Sequence, residues 1–198
     1  MKPSRDVTGP PGRLIAMTEI AERYRALAAE LTRRIDAVPD GRWDDPSPCV
    51  GWTAKDVLRH IVTTHGAMPG YAGLSLDHER SVDADPAGAW VEARDNMQAL
   101  LEDPARAEME YDGYFGRTTL AATVDRFLGL DLLIHGWDLA RATGQDEILP
   151  PDHVHRVYTD ALGLGANLRM EGVCGSAVPV PDDASEQDRL LGLLGRTP

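Results

Sequence analysis

The sequence predicts an all-α fold: a four-helix bundle with crossover loops and a short C-terminal helical extension. Two observations support this prediction. Four long segments repeat apolar residues at intervals of three and four, with helix start and stop signals at their ends. Residues 104–117, between the third and fourth segments, show no sustained strand alternation. The connections are too long for simple helical hairpins, which favours a bundle with crossover loops.

The first two helices are predicted from apolar spacing and end signals. Residues 18–37 form the first helix, because apolar groups recur there at helical spacing. These groups are Ile20, Tyr24, Leu27, Leu31 and Ile35. Thr53 is the predicted cap of the second helix, and Asp56 three residues later has the right sign for the helix dipole. This helix runs toward Met68, where a Pro-Gly pair follows.

The third and fourth helices also have recognisable ends. Asp85 followed by Pro86 opens the third, and Pro104 closes it. The fourth covers residues 118–143 almost continuously and stops at Gly144. It is apolar over much of its circumference, which indicates a buried helix. The C-terminal extension comprises two shorter predicted helices at residues 152–168 and 188–194.

The composition predicts one cytoplasmic domain. The 198 residues, 42% of them hydrophobic, are enough for one sizeable core, which we assign to residues 17–198. Residues 1–16 are rich in Pro and Gly and are expected to be a disordered leader. Two cysteines are too few for a disulfide framework, and no run of about 18 apolar residues occurs, so a reducing cytoplasm is the expected location.

The charge balance restricts the classes of partner. Thirty-two acidic against twenty basic side chains give a formal net charge of -12. Such a surface repels nucleic acid and anionic membranes, so neither is an expected partner. A local basic pocket for a small anionic ligand remains compatible with this charge, because net charge describes the whole surface.

Three residues on two predicted helices are the most informative about function: His60 on the second helix, and Asp131 and His135 on the fourth. Residues four apart share one helix face, so Asp131 and His135 converge, and His60 can complete the set from a neighbouring helix. Facing helices of bundles build metal sites in this way. Three protein ligands leave one coordination position open, which is typical of metals that bind water or substrate.

The identity of the metal, and its presence, are open at this point. Two imidazoles and a carboxylate suit zinc first, with nickel, iron and manganese as alternatives. Without a metal, Asp131 and His135 can form a buried hydrogen-bonded pair that fixes helix packing. The pair by itself favours neither interpretation.

Other residues near these ligands are candidates for supporting roles. Asp138 can orient the imidazole of His135 as a hydrogen-bond acceptor, or lie at the surface. Arg141, the predicted cofactor-binding residue, can pair with Asp138 or bind the acidic group of a ligand. Cys49 has no adjacent base, which favours a buried small residue over a nucleophile. Weaker ligand candidates are the remaining histidines, His65, His78, His153 and His155.

Two stretches of the chain closely resemble one protein family. They are Trp43-Asp-Asp-Pro-Ser-Pro-Cys-Val-Gly-Trp-Thr-Ala-Lys-Asp-Val-Leu-Arg-His60 and Leu130-Asp-Leu-Leu-Ile-His-Gly-Trp-Asp-Leu-Ala-Arg-Ala-Thr-Gly144. With most of residues 18–198, they resemble the actinobacterial DinB-like, mycothiol-dependent maleylpyruvate isomerase N-terminal-domain superfamily. The resemblance is specific for the family and much less specific for an activity.

This resemblance implies a DinB-like metal-binding bundle. A histidine on its second helix and an acid-x-x-x-His pair on a later helix hold a divalent metal, usually zinc, and they match His60, Asp131 and His135. The implied chemistry is activation of a low-molecular-weight thiol such as mycothiol, whose thiolate then attacks an electrophile. The isomerase itself has Glu in place of Asp131 and a separate C-terminal domain, so its own reaction is not carried over.

Two functions follow from these observations. The first is a thiol-dependent transferase or isomerase-like enzyme, whose partners are a small-molecule thiol and an electrophilic substrate. The second is a non-enzymatic module that binds a metal or small ligand with the same residues and needs no reactive cavity. The oligomeric state is undecided between a monomer and a homodimer.

Overall fold

The computed structural model describes residues 11–76, 79–170 and 173–198, with side chains from residue 17 onward. Its α-helices in chain order are α1 (Pro11–Asp36), α2 (Ala54–Ala67), α3 (Pro86–Glu102), α4 (Pro104–Ala107), α5 (Leu120–Thr123), α6 (Gly129–Thr143), α7 (Pro151–Leu164) and α8 (Glu186–Leu193). Short 3₁₀ helices at Met68–Ala72 and Gly165–Arg169 follow α2 and α7.

Four of these helices form the bundle. Helices α1 and α2 each pack against both α3 and α6, which confirms the predicted all-α fold. The C-terminal extension consists of α7 and α8, which pack against each other, and α7 also contacts α6. Within the described ranges, no helix combines the length and hydrophobicity needed to cross a bilayer.

The apolar stripe predicted for α1 faces the bundle core. Tyr24, Leu27, Leu31 and Ile35 are all buried there, as the helical spacing requires. Burial of each such side chain is worth about 1.5–3 kcal/mol relative to exposure. Packing of this face therefore stabilises α1 more than its intrinsic helix propensity does.

Local capping fixes the starts of α2 and α3. The Thr53 hydroxyl accepts a hydrogen bond from the Asp56 N–H at 3.2 Å, and the Asp56 carboxylate accepts one from the Thr53 N–H at 2.9 Å. This reciprocal capping box sets where α2 begins, and therefore where His60 lies along it. Asp85 caps α3 in the predicted manner and accepts a hydrogen bond from the Gly88 N–H at 2.9 Å.

Helix α1 begins earlier than the sequence analysis predicted. It starts at Pro11 rather than at residue 18, so residues 11–16 of the predicted leader are helical. Proline is favoured in the first turn of a helix, where its missing N–H has no intrahelical partner. The rest of that leader prediction, residues 1–10, lies outside the described residues.

Residues 110–119 form a hairpin where the analysis predicted loop and the start of a helix. Strand β1 (Glu110–Gly113) pairs antiparallel with β2 (Gly116–Thr119), with Glu110 opposite Thr119. The Tyr111 hydroxyl lies 2.6 Å from the Thr123 hydroxyl and attaches the hairpin to α5. The sequence gives no alternation signal here, because β1 reads Glu-Tyr-Asp-Gly with a single large apolar side chain and β2 reads Gly-Arg-Thr-Thr with none.

The predicted fourth helix is interrupted. Residues 118 and 119 belong to β2, and a π turn at Val124–Leu128 separates α5 from α6. In this turn the Gly129 N–H donates to the Val124 carbonyl, five residues back instead of four. Helix α6, which carries two of the predicted metal ligands, begins directly after it.

Candidate metal centre

The three predicted ligands come together where α2 packs against α6. Each of His60, Asp131 and His135 offers one ligand atom, and these atoms lie within 4.8 Å of one another. The two imidazole rings meet edge to face, with 4.8 Å between their centroids. His60 Nε2 lies 3.5 Å from Asp131 Oδ2. The spacing of the pair on α6 and the packing of α2 therefore produce a convergent donor set.

The chemistry of this donor set fits a divalent metal. The 3.5 Å between His60 Nε2 and Asp131 Oδ2 exceeds a normal hydrogen bond of about 2.7–3.2 Å. Two ligands that each lie about 2.1 Å from one tetrahedral zinc are about 3.4 Å apart. Within the described chain, the Asp131 carboxylate receives no hydrogen bond and contacts no lysine or arginine. The Asp131 side chain is 24% exposed, so a cation bound here would meet a partly desolvated carboxylate that has no cationic side chain beside it.

His135 makes its hydrogen bond to Asp138 and not to Asp131. His135 Nδ1 lies 2.9 Å from Asp138 Oδ2, and the Asp138 side chain is fully buried. Since an ionised carboxylate only accepts, Nδ1 donates in this hydrogen bond, and Nε2 is the ring atom left to face a metal. The structure therefore contains the orienting role considered for Asp138. It does not contain the packing pair considered for Asp131 and His135.

Asp138 has a second partner that the sequence analysis missed. Arg196, just after α8, places Nη2 at 2.8 Å from Oδ2 and Nε at 3.3 Å from Oδ1. Burial acts to raise the pKa of Asp138, but hydrogen bonds from His135 and Arg196, with the charge of Arg196, outweigh it and lower that pKa. Asp138 is therefore an ionised acceptor at neutral pH. The two residues are 58 positions apart, so no local pattern signals their contact.

Cys49 contacts the same group of side chains. Its Sγ donates to Asp138 Oδ2 at 3.3 Å and lies 4.0 Å from His135 Nδ1. Burial, followed by the charge of Asp138, raises the pKa of the Cys49 thiol to about 12, although Arg196 acts in the opposite direction. A raised pKa disfavours the thiolate that a nucleophile needs. Cys49 is partly buried, where the sequence favoured a buried small residue.

A tight turn brings Cys49 and Trp52 to the centre together. The Trp52 N–H donates to the Cys49 carbonyl at 3.0 Å, and Gly51 at the third position has a φ of 79°. A type II turn needs a positive φ there, which glycine adopts readily. The Trp52 ring lies 5.2 Å from the His60 ring and 6.1 Å from the His135 ring. The sequence signal for the position of the Trp52 ring is the Cys-x-Gly-Trp run just before the helix cap. This signal was not among the sequence predictions.

The Arg141 guanidinium contacts residues other than Asp138 and the three predicted ligands. Its guanidinium lies 4.5 Å from the centre of the Trp137 ring and 3.0 Å from the Glu147 carboxylate, and it donates to the Thr197 carbonyl. The pairing with Asp138 considered from sequence is therefore wrong, because Arg196 occupies that place. Binding of a ligand by Arg141 stays a prediction, and it would require the guanidinium to exchange these contacts.

The other histidines lie outside both three-residue ligand groups found among the described residues. His65 is buried in α2 and bonds through Nδ1 to a backbone carbonyl one turn earlier, at 2.7 Å. His155 of α7 pairs with Glu186 at 2.9 Å, and His153 lies on the same helix. His78 is outside the described residues.

A match to the model of a known protein family identifies the family of this chain. The family model for the mycothiol maleylpyruvate isomerase N-terminal domain matches residues 24–140. The match covers more than half of the chain and contains all three candidate ligands. The chain belongs to this family. Its membership and the helical bundle confirm the family and the DinB-like fold class that the sequence suggested.

Relatives of this family member include two uncharacterized proteins of Mycobacterium tuberculosis, one from strain CDC 1551 / Oshkosh and one from strain ATCC 25618 / H37Rv. Each is 29% identical over 157 residues, which is 77% of this chain and 84% of the relative. No solved structure matches the chain. The relatives therefore support the family assignment.

Proposed function

We propose that the protein is a metal-dependent enzyme that activates a low-molecular-weight thiol, such as mycothiol, for transfer to an electrophile or for isomerisation of one. His60, Asp131 and His135 are the proposed metal ligands. The observation that carries the proposal is the Asp131 carboxylate, which lies 3.5 Å from His60 Nε2 and, in the described chain, receives no hydrogen bond and contacts no lysine or arginine. The family description names mycothiol and maleylpyruvate isomerase, which supports the choice of thiol.

The side chains around the ligands have separable tasks. A divalent ion, zinc first by the donor types, supplies Lewis acidity that stabilises the thiolate form of a thiol at neutral pH. Asp138 holds His135 in the tautomer that leaves Nε2 for coordination. Trp52 lies against both imidazoles and excludes water on that side. His60 and Asp131 are 35% and 24% exposed, so small molecules can reach the ligands from solvent.

The proposal extends to partners and location. The substrates are a small thiol and a small electrophile, and the cytoplasm is the location because low-molecular-weight thiols are kept reduced there. A net charge of -12 disfavours nucleic acid and anionic lipid surfaces as alternatives.

The first test is the metal content of protein purified without a metal-binding tag. We expect about one equivalent of a divalent metal in the unaltered chain and its loss in His135→Ala, with helicity unchanged by circular dichroism. His155→Ala is the matched control, because this exposed histidine pairs only with Glu186 in the described structure. No metal after reconstitution, or full retention in His135→Ala, would overturn the ligand assignment.

The second test separates an enzyme from a binding module. The metal-loaded protein is incubated with mycothiol and an activated aryl halide, and thiol loss is followed against protein stripped by a chelator. We expect faster loss with the metal-loaded protein only. Stoichiometric metal without any thiol consumption across a panel of electrophiles would favour the non-enzymatic module that binds metal with the same residues.

A further inference from the structure

A second ligand group lies on the other side of His135. Cys49, His135 and Asp138 each offer an atom, and these atoms lie within 4.8 Å of one another. The set contains a thiol, an imidazole and a carboxylate, which together suit soft or borderline divalent ions. His135 belongs to this group and to the group formed with His60 and Asp131. The chain therefore carries two overlapping sets of ligands that share one imidazole.

The two ligand groups differ in whether a cationic side chain already lies beside the carboxylate. In the group with Cys49, Arg196 Nη2 lies 2.8 Å from Asp138 Oδ2 and 3.6 Å from Cys49 Sγ. The positive charge of the guanidinium compensates the negative charge of the buried carboxylate. The guanidinium also fills the space beside the thiol. In the group with Asp131, the described chain provides no lysine or arginine contact to that carboxylate. A metal ion is therefore repelled from the first group and attracted to the second.

The end of α8 fixes the position of Arg196. The Arg196 N–H donates to the Leu191 carbonyl at 2.9 Å, and the Gly195 N–H donates to the Gly192 carbonyl at 3.1 Å. Gly195 has a φ of 84°, so this is the Schellman arrangement that ends many helices. Arg196 Nη1 also donates to the Leu194 carbonyl at 2.8 Å. The guanidinium is thus held at a fixed place relative to Asp138.

We propose that Arg196 is a metal-specificity residue: its guanidinium occupies the group formed by Cys49, His135 and Asp138 and keeps sulfur out of the metal's ligand set. His135 then binds metal through Nε2 together with His60 and Asp131. Without the guanidinium, the group with Cys49 accepts a thiophilic divalent ion. This inference rests on the proposed function in one respect, because both groups share His135.

The test uses Co²⁺ alone as the probe. Cobalt bound to a thiolate shows a sulfur-to-metal charge-transfer absorption in the near ultraviolet, and cobalt bound only by nitrogen and oxygen does not. We expect the unaltered chain to bind one Co²⁺ without this band. Arg196→Met should gain the band, and Arg196→Met combined with Cys49→Ser should lose it. Arg189→Met, which removes an arginine of α8 that contacts only the Asp182 carbonyl in the described chain, should resemble the unaltered chain.

Two results would overturn the inference. One is a sulfur band in the unaltered chain that Cys49→Ser removes, since Cys49 would then be a ligand beside Arg196. The other is the absence of the band at saturating Co²⁺ in both Arg196→Met and Arg196→Gln, the second of which keeps a hydrogen-bond donor for Asp138 and protects the fold. If the unaltered chain binds no Co²⁺, the proposed function fails, and the band in the Arg196 variants still decides this inference.

Discussion

Arg34 in α1 is buried and Arg196 after α8 is mostly buried, but their partners differ. The Arg34 side chain is inaccessible to solvent, and that of Arg196 is 15% exposed. Arg34 donates to Glu30 at 2.9 Å and to the backbone carbonyls of Asp146 and Ile148 at 2.8 and 2.9 Å. Arg196 donates instead to the Asp138 carboxylate and lies beside a thiol.

This difference distinguishes an arginine that stabilises the fold from one placed beside the proposed metal ligands. Two of the three partners of Arg34 are backbone carbonyls of residues 146 and 148, so this arginine attaches the segment between α6 and α7 to the bundle. The partners of Arg196 are a carboxylate that also orients His135 and a thiol that can bind metal. The nature of the partners, more than the degree of burial, indicates which buried arginine belongs to a functional site.

The largest expected effect concerns the structural arginine. Arg34→Met should lower the free energy of unfolding by about 3 kcal/mol, because two carbonyls and Glu30 lose a buried donor. Urea denaturation measures this loss. Arg33→Met is the matched control, since Arg33 binds the same Glu30 from a side chain that is 54% exposed, and it should cost less than about 1 kcal/mol. Equal losses would mean that the carbonyl contacts contribute little.

The second effect concerns the carboxylate that Arg196 holds. Asp138→Asn removes the ionised acceptor of the His135 Nδ1–H, and metal affinity should fall about 10–100-fold. Competition with a chromophoric chelator measures the affinity. Asp125→Asn is the control, because this carboxylate is also largely buried but pairs with Arg23 and Arg156 and not with a histidine. Unchanged affinity in Asp138→Asn would show that the orientation of His135 does not depend on this acceptor.

The smallest effect concerns the turn that positions Arg196. Gly195→Ala places a Cβ at a φ of 84° and 3.1 Å from the Ser176 carbonyl oxygen, and it should cost about 1 kcal/mol of stability. Gly73→Ala, with a φ of 74° and open space around the new Cβ, should cost about as much through backbone strain. Only Gly195→Ala should also give a weak sulfur-to-cobalt band that depends on Cys49. If Gly73→Ala gave the same sulfur-to-cobalt band, the band would not depend on the position of Arg196.

Features that depend on one or two helical turns could be predicted from the sequence. The Thr53 capping box formed as predicted, and the helical spacing of Asp131 and His135 correctly indicated that their side chains converge. In both cases the partners are three or four residues apart, so helix geometry alone determines the contact. The packing of α2 against α6 then added His60, as expected for a bundle.

Features that depend on distant packing could not be predicted. Pairing with Asp138 was one of two alternatives for Arg141, which lies three residues away on the same helix, but Arg141 contacts Trp137 and Glu147 instead. The actual partner, Arg196, follows α8, and the packing of α8 against α7 places it beside Asp138. No periodicity within one helix contains this information.

The π turn at Val124–Leu128 has a consequence for sequence alignment within the family. One extra residue in a helical turn rotates every following side chain by about 100° relative to an uninterrupted α-helix. The orientation of Asp131 and His135 relative to the β1–β2 hairpin therefore depends on that single insertion. A relative one residue shorter here would carry the same Asp-x-x-x-His pair with the hairpin on another side of it. Ligand positions in such relatives have to be counted back from the histidine of α6 and not forward from the hairpin.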